Sequence, residues 1–219
     1  MNLRVVGVNW GDEGKGRFVD YLANEYDVIC RFQGGNNAGH TVVNEYGKFK
    51  LHLVPSGIFH QNKLNYLGPG VLLNLGALIE EIETLKKCGI SWAKERIRIS
   101  DRATLCLQAN VEEDSWEEER LGYKAFGSTK NGIAPGYSDK YLKKSLMLGD
   151  LKNRDLCLEK LTTLFEYKNL YAKGLYGKSH DVSVREYVEL LVSQYEYIED
   201  SIVNSQSFGI ELQGKSVLF

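Results

Sequence analysis

The chain opens on an apolar run, Leu3 to Val8, that stops at a glycine-rich turn, which predicts a buried strand. Beyond the turn, Phe18, Val19 and Leu22 recur at helical spacing within KGRFVDYLANE and predict a helix. YDVICRF (Tyr26 to Phe32) reads as a second strand. Strand, helix and strand in that order make a βαβ unit of a parallel sheet. TVVNEYGKFKLHLV alternates about Gly47 as a β-hairpin does, and NKLNYLG reads as a further short strand. Leu75, Leu78, Ile79, Ile82 and Leu85 share one helical face, with Asn74 placed to cap its start and Gly89 its end. RIRIS (Arg96 to Ser100) predicts a strand, and residues 103–120 a helix. Six acids crowd the end of that helix in EEDSWEEER and read as a solvated face. After residue 150 the pattern is of long helices, with Val184, Val188, Leu191, Tyr195, Ile198 and Ile202 as one buried stripe. KSVLF closes the chain as a strand without a polar tail, a pattern expected of a sequence that continues past Phe219. The fold class expected is α/β: a mainly parallel central sheet flanked by helices, with a helical C-terminal portion.

Composition narrows this picture only slightly. A length of 219 residues suits one large domain, and 43% hydrophobic with 26% charged residues is ordinary for a soluble globular protein. A net charge of -2 argues against nucleic-acid binding driven by bulk charge. Cys30, Cys88, Cys106 and Cys157 show no zinc-ligand spacing and read as reduced, mostly buried thiols of a cytoplasmic protein. No apolar run approaches the ~20 residues of a membrane span, and the N-terminus turns polar too soon for a signal peptide.

Three stretches carry candidate chemistry. WGDEGKG (Trp10 to Gly16) precedes a helix, whose free N–H groups and positive dipole end suit phosphate. It is not the standard P-loop, which has Gly where this chain has Asn9 and Ser or Thr where it has Gly16. Asp12 could ligate Mg²⁺ beside phosphates, act as a general base, or merely cap the helix. RFQGGNNAGHTVV (Arg31 to Val43) packs glycines, asparagines and His40 behind a strand; His40 suits proton donation or stabilisation of phosphoryl charge. FGSTKNGIAPGYSDK (Phe126 to Lys140) offers hydroxyls and backbone N–H groups to a second phosphate, then a proline turn and a cationic stretch. His52, His60 and His180 read as ordinary polar residues.

WGDEGKG, QGGNNAGHT, LHLVPSGI and GSTKNGIAPGYSDK, in this order, resemble the adenylosuccinate synthetase family over essentially the whole chain. The resemblance implies a P-loop-NTPase-like fold and ligation of IMP and L-aspartate, driven by GTP hydrolysis through 6-phosphoryl-IMP, as a cytoplasmic homodimer. It implies Asp12 as the base at N1 of IMP, His40 as the acid on the transferring phosphoryl group and Lys15 as its counter-charge. Gly11, Asp12, Glu13, Gly14, Lys15, Gly16, Arg17, Gly39, His40 and Thr41 would meet GTP. Asp12, Glu13, Gly14, Lys15, Asn37, Ala38, Gly39, His40, Thr129 and Lys143 would meet IMP, Lys143 reaching the partner subunit's nucleotide. Asp12 and the carbonyl of Gly39 would hold Mg²⁺.

The family places arginine where this chain has Lys143, which can neutralise phosphate but not fork onto it. Its GSTKNG also departs from the commoner GTTGRG. The family is about twice as long, with its guanine and aspartate contacts in the later part. Residues 1–219 are therefore expected to be the N-terminal part of a single domain, with an incomplete sheet and no turnover alone. Within it, 1–100 would bind nucleotide and Mg²⁺, 101–204 would be mostly helical with IMP and dimer contacts, and 205–219 would hold a return strand. Competing readings are a relative that aminates dGMP, a switch GTPase and a non-catalytic binder of IMP or phosphate. Asp12 argues against the first, and the failed P-loop signature against the second.

Overall fold

The structure is a computed structural model that describes residues 2–6, 14–37 and 39–219. Gly11, Asp12, Glu13 and Ala38 lie outside the described residues.

The first helix, α1 (Lys15–Leu22), leads through a short 3-10 turn into β1 (Val28–Gly34). A hairpin follows, β2 (His40–Asn44) and β3 (Gly47–Leu51), paired antiparallel with Val42 opposite Phe49. Then come β4 (Leu64–Leu73), α2 (Leu75–Lys87), β5 (Ile97–Ser100) and β6 (Thr104–Leu105). The helical portion holds α3 (Gln108–Leu121), α4 (Ile133–Tyr141), α5 (Arg154–Tyr176) and α6 (Val184–Ile198). β7 (Ile202–Val203), α7 (Ser205–Glu211) and β8 (Val217–Leu218) end the chain. The central sheet runs β7-β5-β4-β1-β8, with β6 also on β4, and every described pairing in it is parallel. The α/β class with a mainly parallel sheet is therefore as expected.

Period-two alternation splits the sheet's side chains between two apolar clusters. Leu67, Val71 and Leu73 of β4 face the larger one, filled by Leu78, Ile82 and Leu85 of α2, Leu161 and Leu164 of α5, and Val188, Leu191 and Ile198 of α6. Tyr66 faces the other way, onto Val28, Cys30, Val217 and Phe208 of α7. The Asn74 side chain accepts from Ala77 N at 3.0 Å, so the expected cap of α2 is present.

Several expectations need correction. Of the opening run only residues 3–6 are described, and there it forms a single bridge rather than a buried strand. Leu3 bridges Leu218 of β8, so β8 lies between the opening segment and β1, and Val6 is exposed. Residues 103–120 are not one helix: Thr104 and Leu105 pair with Leu72 and Leu73 before α3 starts at Gln108. Pro135 makes no turn; it sits in the first turn of α4, where its missing N–H would have had no helical partner. The acids of α3 are not one solvated face, since Glu113, Asp114 and Glu118 are buried. They are buried because each has partners outside α3. Glu113 accepts from Lys168 at 2.7 Å, and Asp139 of α4 meets the same ammonium at 2.8 Å. His180, expected to be ordinary, is buried against Glu112 at 2.6 Å and Glu113 at 3.3 Å. Burial pulls its imidazole pKa down, but the hydrogen bonds it donates to the two carboxylates outweigh this and leave it raised.

Candidate phosphate-binding site

The described parts of the loops expected to carry chemistry touch one another: Gly16 meets His40, and Gly35 meets Ile133 and Leu72. Gly14 enters α1 at φ +76, a left-handed turn that glycine adopts without cost, and Lys15 and Gly16 form the helix's first residues. Gly16 lies directly against His40: a Cβ there would fall 2.5 Å from His40 Cβ. No side chain fits between them, which is the physical reason for glycine at this point.

His40 starts β2, half-buried, and its Nε2 has no hydrogen-bond partner among the described residues. The same holds for Asn36 Oδ1. Burial, helped by the charges of Arg31 and His52, pushes the His40 imidazole down to about 4. The ring is therefore neutral at physiological pH. The expected result is a His40 ring resonance that titrates about 4 in the ligand-free chain. Because its folded pKa lies below the unfolded value, stability is full above about 6.5 and falls as pH drops towards 4. NMR titration of the chain beside a His40→Gln variant checks both; a midpoint near 6.5 would contradict the burial of this ring.

Backbone carbonyls and amides of the neighbouring loop are tied down from below. The Arg31 guanidinium donates to Gly35 O at 2.5 Å and to the carbonyls of His52 and Leu53. Glu81 of α2 accepts from His52 N at 2.8 Å and Leu53 N at 2.9 Å, which fixes the LHLV stretch. Burial raises the Glu81 pKa, against the opposing pull of those N–H groups and Arg31. Gly34 N donates to the Tyr137 hydroxyl at 2.8 Å, which in turn donates to Gly70 O at 2.9 Å and so locks β1, β4 and α4 together. Gly39 is exposed and packs on the side chains of Lys50 and His52, where a Cβ would fall 2.5 Å from Lys50 Cε. Asn37 and Thr41 are exposed on the same loop and strand.

The third stretch arches from Phe126 to Gly132, with Thr129 exposed near its crest. Asn131 Nδ2 reaches Asn36 O at 3.4 Å, so this arch and the loop before His40 touch. Lys143 is not brought to these loops. It lies just past α4 at φ +60, on the rim of a separate cavity of about 830 Å³ lined also by Arg102, Lys140, Lys144 and Lys160. Among the described residues no group of three His, Cys, Asp or Glu could hold a metal ion. Arg31, Glu81 and Tyr137 escaped the sequence reading because their partners are backbone atoms. Asp114 and Glu118 escaped it as well, although Asn110, Asp114 and Glu118 stand four residues apart on one helix face.

The adenylosuccinate synthetase family model matches residues 4–219. The chain belongs to the adenylosuccinate synthetase family. It is 51% identical over 175 residues to adenylosuccinate synthetase 2 of Pseudoalteromonas translucida, covering 80% of this chain and 41% of the relative. It is 42% identical over 217 residues to the adenylosuccinate synthetase of Clostridium perfringens, covering 98% and 50%. The fully ligated Plasmodium falciparum adenylosuccinate synthetase superposes with a TM-score of 0.84 at 31% identity, over 98% of this chain and 50% of that one. The succinoaminodeoxyadenylate synthetase of cyanophage S-2L shares the fold at 21% identity and a TM-score of 0.62. The chain thus spans about half the length of the curated relatives it matches.

Proposed function

We propose that this chain carries the phosphoryl-transfer half of an adenylosuccinate synthetase site, acting on GTP, IMP and L-aspartate in AMP biosynthesis. The observation that carries the reading is the packing of Gly16, at the start of α1, against His40, whose Nε2 has no partner among the described residues. A phosphoryl group beside the start of α1 would have both the helix N–H groups and the imidazole as neighbours.

In this reading Asp12 removes the N1 proton of IMP. O6 then attacks the γ-phosphorus of GTP, the bond to the β-phosphate oxygen breaks and GDP leaves. The amine of aspartate adds at C6, phosphate departs with O6, and the amine gives up its proton. His40 and Lys15 stabilise charge on the moving phosphoryl group, and Gly11 to Arg17, Gly39 and Thr41 line the GTP phosphates. Asn37, Ala38 and Thr129 hold IMP, and Lys143 serves the partner subunit's IMP in a homodimer. The Asp12 carboxylate and the Gly39 carbonyl are hard oxygen donors of the kind Mg²⁺ selects. Bound there, the ion would neutralise charge on the GTP phosphates.

Calorimetry of the chain with IMP and with inosine tests this reading, alongside an assay for adenylosuccinate with all three substrates. IMP is expected to bind at least tenfold more tightly than inosine, a gap that charge-assisted contacts to its phosphate support. Asp12→Ala is expected to keep that binding. With the family's guanine and aspartate contacts outside the matched half, no adenylosuccinate is expected from the chain alone. Equal affinity for IMP and inosine would overturn the assignment, and product formed by the chain would overturn the division between halves.

A further inference from the structure

The buried acids of α3 have no role in the chemistry described above, yet they converge on the arch that holds Thr129. Both Asp114 and Glu118 are buried, and each uses both carboxylate oxygens. Glu118 accepts from Phe126 N at 3.1 Å and from Gly127 N at 2.9 Å. Asp114 accepts from the Ser128 hydroxyl at 2.7 Å and from Gly132 N at 2.9 Å. The Ser128 oxygen in turn accepts from Lys130 N at 3.1 Å. These bonds grip the arch on both sides of Thr129 and leave Thr129 itself turned to solvent.

The arch needs such a grip. Gly127 at φ +73, Lys130 at φ +55 and Gly132 at φ +73 all adopt left-handed backbone, which an unsupported segment would leave for many other conformations. Next to the pair, Asn110 stands one helical turn before Asp114 and donates to Asp139 at 2.6 Å. The row Asn110, Asp114, Glu118 is therefore a rigid edge to which both the arch and α4 are attached.

We propose that Asp114 and Glu118 are positioning residues for the 5′-phosphate of the nucleotide monophosphate: they preorganise the arch so that Thr129 meets that phosphate without first paying to order the loop. The inference rests on the reading of Thr129 as a 5′-phosphate contact. It predicts a specific loss. Weakening the grip lowers affinity for the phosphorylated nucleotide and leaves affinity for the nucleoside almost unchanged.

Calorimetric titration of the chain with IMP, inosine and GTP tests this in wild type, Thr129→Ala, Ser128→Ala and Glu118→Gln. Ser128→Ala removes one hydroxyl from a partly exposed position, and Glu118→Gln keeps one acceptor, so both variants are expected to fold. Asp114→Ala is added if it folds. In Ser128→Ala and Glu118→Gln the inosine-to-IMP ratio of Kd values is expected to fall about five- to tenfold, the scale of a lost hydrogen bond to a charged group. Affinity for GTP is expected to stay within about twofold in both variants, whereas general loosening of the fold would weaken IMP, inosine and GTP together. If Thr129→Ala lowers the ratio while Ser128→Ala and Glu118→Gln leave it at the wild-type value, the positioning role is overturned and the phosphate reading stands. If Thr129→Ala also leaves the ratio unchanged, the phosphate reading falls and this inference falls with it.

Discussion

Replacing Lys168 with Met is expected to cost about 3–5 kcal/mol of folding stability, the scale of breaking a buried ion pair from one side. Lys168 is 1% exposed, and its ammonium lies between Glu113 Oε2 at 2.7 Å and Asp139 Oδ2 at 2.8 Å. Both carboxylates are themselves buried, so water cannot replace the lost charge. Met keeps the length and apolar stem of the side chain, which removes packing as the main cause of any loss. Among the described residues Glu113 would keep only His180 at 3.3 Å and Asp139 only the Asn110 amide at 2.6 Å. Urea unfolding followed by circular dichroism measures this. A triple variant, Lys168→Met with Glu113→Gln and Asp139→Asn, removes all three charges and is expected to recover most of the loss. A single-variant deficit below about 1 kcal/mol would mean that the ammonium is not what holds these acids inside.

That cluster also marks where sequence patterns stop being informative. The helix α2 and the hairpin at Gly47 were legible because their signals are local: a cap at Asn74, a stripe of four buried side chains and an alternating run about a turn. The signature loops were legible for a similar reason, since glycine, amide and histidine in one short run have few structural uses. Lys168 and Glu113 lie 55 residues apart, so the helix periodicity around each is silent about the other. A row of acids with no visible partner looks the same whether it faces water or a lysine from another helix. Strand order is equally non-local: nothing within LRVVGV or KSVLF says that β8 lies between the opening segment and β1. β6 was lost for a third reason: a pair of residues is too short to carry a period. The supports of the candidate site were not legible, because Glu81, Arg31, Asp114 and Glu118 act on backbone groups that every sequence has.

Gly132→Ala is the second substitution expected to have a large effect, about 2–4 kcal/mol in stability together with loss of selective IMP binding. Two independent costs meet at this residue. Its φ of +73 is a conformation in which an L side chain is strained by roughly 1–2 kcal/mol. A Cβ would also fall 2.8 Å from both Asn110 C and Val111 N, and these are helix backbone atoms that cannot rotate away. The arch or α3 must shift, and the Gly132 N to Asp114 bond stretches with it. Gly127 supplies the control, having the same φ of +73 but nothing within 4 Å of the added methyl group. Gly127→Ala should therefore show the conformational cost alone, about 1–2 kcal/mol. The difference between the two variants in thermal or urea unfolding isolates the contact with α3. If the two lose equal stability, the close approach of the arch to α3 is wrong, and with it the geometry by which Asp114 reaches both Ser128 and Gly132. If Gly132→Ala loses clearly more and also binds IMP no better than inosine, stability and phosphate recognition trace to the same few ångströms of backbone.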